Sequence, residues 1–366
     1  MKKICCLLLL SSILLTGTMG QTDSLALRRD SAEMTYPAKY TVLPFVAYSP
    51  DTRLMFGGLG VRQFKLPGSG LETRASNVQL TATYTMNKQI SIRLQHTVFL
   101  PNEAWILNGQ AIYSKFPKNY WGIGPHTQEE DRVKIDYQKI EMRQRALRKV
   151  AEDLYLGPQW HFIYRYDVEF EEARPPIAGA QGNLSNGLGI VFNWDKRDNV
   201  LTPTQNHYFE LSTLFYTTFL QSEFGYRRYR IDARKYLRLQ QKGQQVLAFQ
   251  LLGLFNAGNV PFEEMGMIGG EYIMRGYFEG RFRDKQALQA QAELRSLLFG
   301  RWGFALFAAA GNVSPTLSAF ALPNTKWAVG AGLRYNINKA DPTYIRLDYG
   351  IGKGTGGLYI SIGEAF

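Results

Sequence analysis

One segment of this chain combines residue types that could do specific chemistry: Gly269-Gly270-Glu271-Tyr272-Ile273-Met274-Arg275-Gly276-Tyr277. Glycine reaches backbone conformations closed to other residues, and a guanidinium offers five donors in a rigid fork. Gly269, Gly270 and Gly276 around Arg275, with Tyr277 beside it, read as a tight path that delivers one cation to a fixed place. The alternative is a solvated loop in which Arg275 has no task. Other chemistry is sparse. His96, His126, His161 and His207 are scattered, and no Gly-x-Ser-x-Gly elbow accompanies them, so no catalytic residue is assigned and the chain is not expected to be an enzyme. His126 with Glu129, Glu130 and Asp131 could hold a cation, but reads better as a solvated acidic loop. No metal or cofactor is expected.

The elements that must position Arg275 are strands. Val78, Leu80, Ala82, Tyr84 and Met86 interleave with Asn77, Gln79, Thr81, Thr83 and Thr85. Ile90, Ile92, Leu94 and Val98 alternate with Ser91, Arg93, Gln95 and Thr97 in the same way, as do Trp327 to Asn338 and Ile345 to Ile351. A period of two with one apolar and one polar face is the pattern of a lipid-facing strand over a polar lumen. The template predicts about sixteen strands, between 40–49 and 357–366, the even number of a single-chain barrel. The long connections 117–132, 171–184, 259–285 and 314–324 all fall at odd positions in the order, and the even ones are mostly tight, as at Pro101-Asn102 and Gly300-Arg301. That asymmetry is expected of a barrel with outer loops and periplasmic turns. The fold class is therefore all-β, a transmembrane antiparallel barrel over 40–366.

The first twenty residues begin with Lys2 and Lys3, run apolar from Ile4 to Leu15 and end in Thr18-Met19-Gly20. This is a secretory signal pattern, and the run is short of the ~20 residues a membrane helix needs. Cys5 and Cys6 lie within it, so a mature chain from Gln21 has no thiol and no disulfide framework. Residues 21–39 are polar and read as a short periplasmic tail or plug, too small for a domain. The net charge is +11, two units of which belong to Lys2 and Lys3. Its basic residues sit singly within alternating segments, so outer-membrane lipid and the lumen explain them, and no nucleic-acid partner is expected. The chain is 45% hydrophobic with 35 glycines, yet its mean hydropathy is −0.23. Dispersed apolar residues of this kind are how a barrel conceals its lipid face. Trp105, Trp121, Trp160 and Trp302 read as interfacial girdle residues.

The Arg275-Gly276-Tyr277 segment resembles the sixth surface loop of the BamA/TamA-type insertase (bacterial surface antigen) superfamily, a loop that folds back into the barrel lumen. Trp194-Asp195-Lys196-Arg197-Asp198-Asn199, Pro203-Thr204, Gln291-Ala292-Glu293-Leu294, Gly311-Asn312-Val313, Gly330 to Tyr335 and Ile345 to Gly350 match in order over about 185–366. The resemblance implies that Glu293 faces the lumen. Where the family usually has an aspartate as partner of the loop arginine, this chain has Phe307-Ala308-Ala309-Ala310, and Ala309 accepts no hydrogen bond. Glu293, on the polar face with Gln289 and Gln291, is then the best acceptor. A second departure is that residues 21–39 cannot hold the family's polypeptide-binding POTRA domains.

The resemblance also implies a weak seam between first and last strands that templates an incoming strand. Pro44, which lacks an N–H, and Gly363 are the residues that would weaken it, unless Pro44 lies at a bulge or non-bonded position. Leu358, Ile360, Ile362 and Phe366 on one face look like the C-terminal signal that makes a barrel a client of the assembly machinery. The leading expectation is an outer-membrane barrel that assists protein or lipid insertion or translocation, with a periplasmic or outer-membrane accessory protein. The alternative is a closed structural or receptor barrel, or a narrow pore.

Overall fold

The computed structural model describes residues 38–70, 72–172, 176–240, 245–338 and 342–366, so the expectations for the leader and for 21–37 lie outside the described residues. Sixteen long strands form the wall. The first eight are β1 (Lys39–Ser49), β2 (Arg53–Phe64), β3 (Ser76–Thr85), β4 (Ile90–Phe99), β5 (Trp105–Lys115), β6 (Val133–Ala151), β7 (Leu154–Phe170) and β8 (Asn183–Asp195). The second eight are β9 (Asn206–Tyr216), β10 (Tyr226–Arg238), β11 (Gln245–Gly258), β12 (Gln286–Phe299), β13 (Trp302–Ser314), β14 (Lys326–Asn338), β15 (Thr343–Gly352) and β16 (Thr355–Ile362). Each pairs antiparallel with its chain neighbours, and β16 returns to β1. The result is a closed sixteen-stranded barrel, as the alternation predicts.

Alternation decides which way each side chain points. Leu80, Tyr84, Ile92 and Leu94 are exposed on the outer face, and Glu293, Arg334, Arg346 and Asp348 are buried on the inner one. With lipid outside, backbone groups are satisfied only by strand-to-strand bonds, which is why closure and apolar-out alternation come together. The end that carries the even-numbered connections is held by turns with local salt bridges. Arg74 forms a two-nitrogen bond with Glu103 at 2.7 and 2.9 Å, tying the second connection to the fourth. Among the expected girdle residues, Trp105 and Trp302 are exposed at the starts of β5 and β13. Trp121 is not at an interface: it is buried, 5.7 Å from the Phe278 ring, because the fifth connection packs against the eleventh.

The β1–β16 closure differs from every other junction. Its ladder consists of one pair, Tyr48 opposite Ile360, whereas the β1–β2 ladder is unbroken from Lys39 to Ser49. Pro44 has no N–H, so within that unbroken ladder it must occupy a position whose backbone faces away from β2. By alternation Tyr40, Val42, Val46 and Tyr48 also face the seam. Of these only Tyr48 has a ladder partner there. Tyr40 and Val42 are 71% and 80% exposed. Proline thus sits at the open edge, not at a bulge.

The last strand is shorter than the alternation predicts. Gly363 takes a left-handed backbone (φ 87°) that ends β16 at Ile362. Leu358 and Ile362 remain exposed on the outer face as expected, while Ile360 is partly covered. Phe366 corrects the expectation: it is 5% exposed and lies inside, in an apolar cluster with Tyr236, Val246, Ala248 and Ala365. The turn at Gly363 carries it off the lipid face, and Arg295 lies over its ring at 5.0 Å.

Candidate functional site

The eleventh connection, 259–285, enters the lumen and is fixed there first by charge. Glu264 bonds Arg165 on β7 at 2.9 Å and Arg228 on β10 at 3.0 Å. Glu263 bonds Lys118 at 2.6 Å, accepts a hydrogen bond from the Tyr137 hydroxyl at 3.0 Å, and pairs with Arg283. Gly266–Ile268 and Phe282–Asp284 then pair as a two-stranded stem. Ile268 and Phe282 of the stem, with Ile273, Met274 and Tyr277 beyond it, bury themselves against Ala287, Ala309, Val313 and Ala328 of the wall.

The glycines predicted to shape the tip do so. Gly269, Gly270 and Gly276 have φ of 109°, 117° and 114°. These values are accessible to glycine and strained for other residues. The wall is equally adapted: a Cβ on Gly350 would lie 2.4 Å from the Arg275 carbonyl oxygen, and one on Gly352 would lie 2.3 Å from the Tyr277 ring. The glycines of Tyr349-Gly350-Ile351-Gly352 are therefore the seat of the loop. Gly276 N donates to the Tyr359 hydroxyl at 2.8 Å, and the Tyr277 hydroxyl donates to Trp327 O at 3.1 Å.

Arg275 is fixed in place and 1% exposed. Its Nη2 pairs with Glu293 as the sequence predicts, and its Nη1 donates to Asp348 Oδ2 at 2.5 Å. The Phe307 ring lies 3.6 Å below the guanidinium carbon. Asp348 is the acceptor that sequence reasoning missed, although alternation already placed it on the polar face. Ala309, where the resemblance implies an aspartate, is buried instead in the apolar cluster with Met274. The pair extends into a network: Glu293 Oε1 accepts from Arg295 at 2.8 Å, Asp348 Oδ1 from Arg334 at 2.5 Å, and Glu364 from Arg334 at 3.0 Å. Arg295 Nη2 also donates to the Phe366 main-chain oxygen at 2.9 Å. The residues after Gly363 are thus part of the same network as the loop tip.

The loop also reaches across the outer end of the seam. On the β16 side, Thr355 Oγ1 donates to Gly276 O at 2.8 Å, and on the β1 side Glu279 N donates to Asp51 Oδ1 at 3.0 Å in the β1–β2 turn. Pro50 packs so closely there that a Cβ on Gly357 would lie 2.6 Å from it. Burial, and then the charge of Glu279, push the Asp51 carboxyl up to about 7. The seam is therefore clamped at its outer end and has no ladder pair below Tyr48 among the described residues, and the site joins Arg275, Glu293 and Gly276 to the last strand through Tyr359 and to the turn after Gly363 through Arg334 and Glu364.

Three outcomes follow. Arg275→Met leaves buried carboxylates short of a partner, so it should cost on the order of 3–5 kcal/mol and lower the unfolding temperature in detergent. Asp348→Asn should be at least as damaging as Glu293→Gln; a wild-type melting temperature for Asp348→Asn would show that Glu293 alone holds the loop. For Asp51, the docked carboxyl has a higher pKa than a free one, so docking is strongest below the free value near 4, weakens as pH rises to about 7, and is level above that. Amide exchange at Glu279, corrected for its intrinsic rate, should show more opening at pH 8 than at pH 5, and Asp51→Asn should remove the difference.

Residues 127–366 match the Omp85 superfamily domain model. No curated protein matches the chain. Among solved structures, BamA from Haemophilus ducreyi lacking POTRA domains 1–3 is similar with a TM-score of 0.60 at 14% identity, covering 88% of this chain and 70% of that one. CdiB from Acinetobacter baumannii is similar with a TM-score of 0.60 at 12% identity, covering 90% of this chain and 66% of that one. CdiB from Escherichia coli has a TM-score of 0.57 at 11% identity, with coverage of 90% and 68%. At these identities the likeness is one of fold, and this chain spans about two thirds of each neighbour's length. With the domain match over most of the chain and the arginine-bearing loop in the lumen, the chain belongs to the Omp85 superfamily.

Proposed function

We propose that this barrel assists the insertion or translocation of protein or lipid at the outer membrane through its β1–β16 seam. The observation that carries the reading is the seam-facing edge of Tyr40, Val42, Pro44 and Val46, which has no ladder partner among the described residues. Such an edge has a row of N–H and C=O groups that an extended segment can satisfy by strand addition. In lipid each unpaired group costs several kcal/mol, so a passing strand is drawn to it. Roughly seven residues at ~3.4 Å each make an edge of about 20 Å, most of a hydrocarbon core. Pro44 withholds one donor, which keeps pairing at the edge weaker than in a regular ladder and favours release.

The clamp at the outer end gives the opening a direction. Glu279 on Asp51 and Thr355 on Gly276 keep that end together, so an entering segment meets the edge from the periplasmic side. Lipid is the natural contact of the outer face, and a periplasmic or outer-membrane accessory protein would deliver clients that this barrel has no described domain to capture. The barrel itself would reach the membrane as a client of the assembly machinery. The second reading, a closed scaffold, receptor or narrow pore, uses the same wall without the seam.

The test takes the mature chain from Gln21, which contains no cysteine, with Val46→Cys and Ile362→Cys, which stand opposite each other on the open edge when the Tyr48–Ile360 register is extended by two residues. In liposomes, the reduced protein should speed protease-protected folding of an unfolded client barrel several-fold over empty vesicles, and oxidation should abolish the gain. Equal rates in both redox states would transfer the function away from the seam and favour the closed-barrel reading.

A further inference from the structure

A second group of arginines lies apart from the Arg275 network, on the lumenal wall of β6, β7, β9 and β10. Here a cavity of about 210 Å³ is lined by Arg143, Arg145, Arg228 and Arg230, together with Gln159, Ser212 and Leu254. No carboxylate belongs to its lining. The acids around this chamber, three on the wall and Glu264 on the lumenal loop, lie outside its lining, and each is shared. Glu141 serves Lys139 at 2.8 Å and Arg143 at 3.4 Å. Glu210 serves Arg145 at 2.9 Å and Arg230 at 2.8 Å. Asp232 serves Arg230 and Arg234 at 2.8 Å each, and Glu264 serves Arg165 and Arg228.

Seven cations thus divide four carboxylates among the described residues. The Arg275 network is closer to balance, with Arg275, Arg295, Arg334 and Arg346 on Glu293, Asp348 and Glu364. Uncompensated guanidiniums in a confined lumen are costly unless an anion joins them. Glu141 is further occupied by Gln110 and His161, which leaves Arg143 with the longest and weakest pairing of the set. The Nε atoms of Arg143 and Arg145 have no hydrogen-bond partner.

We propose that this chamber is a binding site for a phosphate-class oxyanion. Several forked guanidiniums converging on one space suit a tetrahedral group with oxygens on every side, and the Ser212 hydroxyl and Gln159 amide complete a polar lining. Bound there, the anion would brace β6 against β10 across the three intervening strands. It can come from free phosphate or from a lipid headgroup. The site is independent of the seam.

The experiment uses the full mature barrel in dodecyl maltoside, followed by intrinsic fluorescence on heating. One arm adds sodium phosphate against sodium chloride at matched ionic strength, and the other adds short-chain phosphatidic acid against the uncharged diacylglycerol. A saturable rise in melting temperature of several degrees is expected in at least one arm, and the responding arm identifies the source. Arg143→Gln should shift the midpoint at least tenfold to higher ligand, and Arg143→Lys should shift it less. Leu254→Trp, which fills the chamber without removing a charge, should abolish saturation; if Arg143→Gln does not fold, this variant decides. Equal effects of phosphate and chloride with no lipid response, or a phosphate response that survives Leu254→Trp, would overturn the site.

Discussion

Inside hydrocarbon a backbone N–H or C=O has no water to turn to, and the whole structure follows from that constraint. It forces sixteen strands into a closed antiparallel ring and turns an apolar face of each toward the lipid. It also makes the one place where the ring is poorly closed energetically conspicuous. Fifteen junctions are held by extended ladders and the sixteenth by Tyr48 opposite Ile360. The polar lumen left by outward apolar residues then has to be filled, and loop 259–285 fills much of it.

Filling a polar lumen with a charged loop works only if charges meet partners, and Arg275 shows how tightly this is met. Its guanidinium is shared between Glu293 and Asp348 and faces the Phe307 ring. The network continues through Arg334 to Glu364 and through Arg295 to Phe366, so the loop tip and the residues after Gly363 are joined in one electrostatic network. A buried network of this kind is weak evidence for added stability, but it fixes one arrangement among alternatives. The arrangement it fixes is a seam clamped outside and open below.

Much of this was legible in the residues. Alternation at Asn77–Met86 or Ile345–Ile351 identifies strands because the period of two survives any tertiary context, and odd-numbered long connections give the orientation. The glycines beside Arg275 announced a constrained tip, and Glu293 was found as its acceptor from the resemblance and the alternation together. Asp348 was visible as an inward residue but not as a partner, because nothing local links it to a loop that returns from the far side of β11. Phe366 was misplaced for the opposite reason: alternation continues through Gly363 on paper, and only the left-handed turn there shows that the strand has ended. Trp121 was misread because burial by a neighbouring loop leaves no periodic trace. The arginine chamber could not be read at all, since β6 and β10 are brought together only by closure.

The most direct test of the account is residue-resolved amide exchange of the barrel in a nanodisc. The amides of Tyr40, Val42 and Val46, which face the seam, should exchange orders of magnitude faster than their alternate neighbours Thr41, Leu43 and Phe45, which are bonded to β2, while Tyr48 should be protected. Uniform protection along β1 would contradict the account, because it would mean that the ring is closed along its full height and that the seam offers no edge.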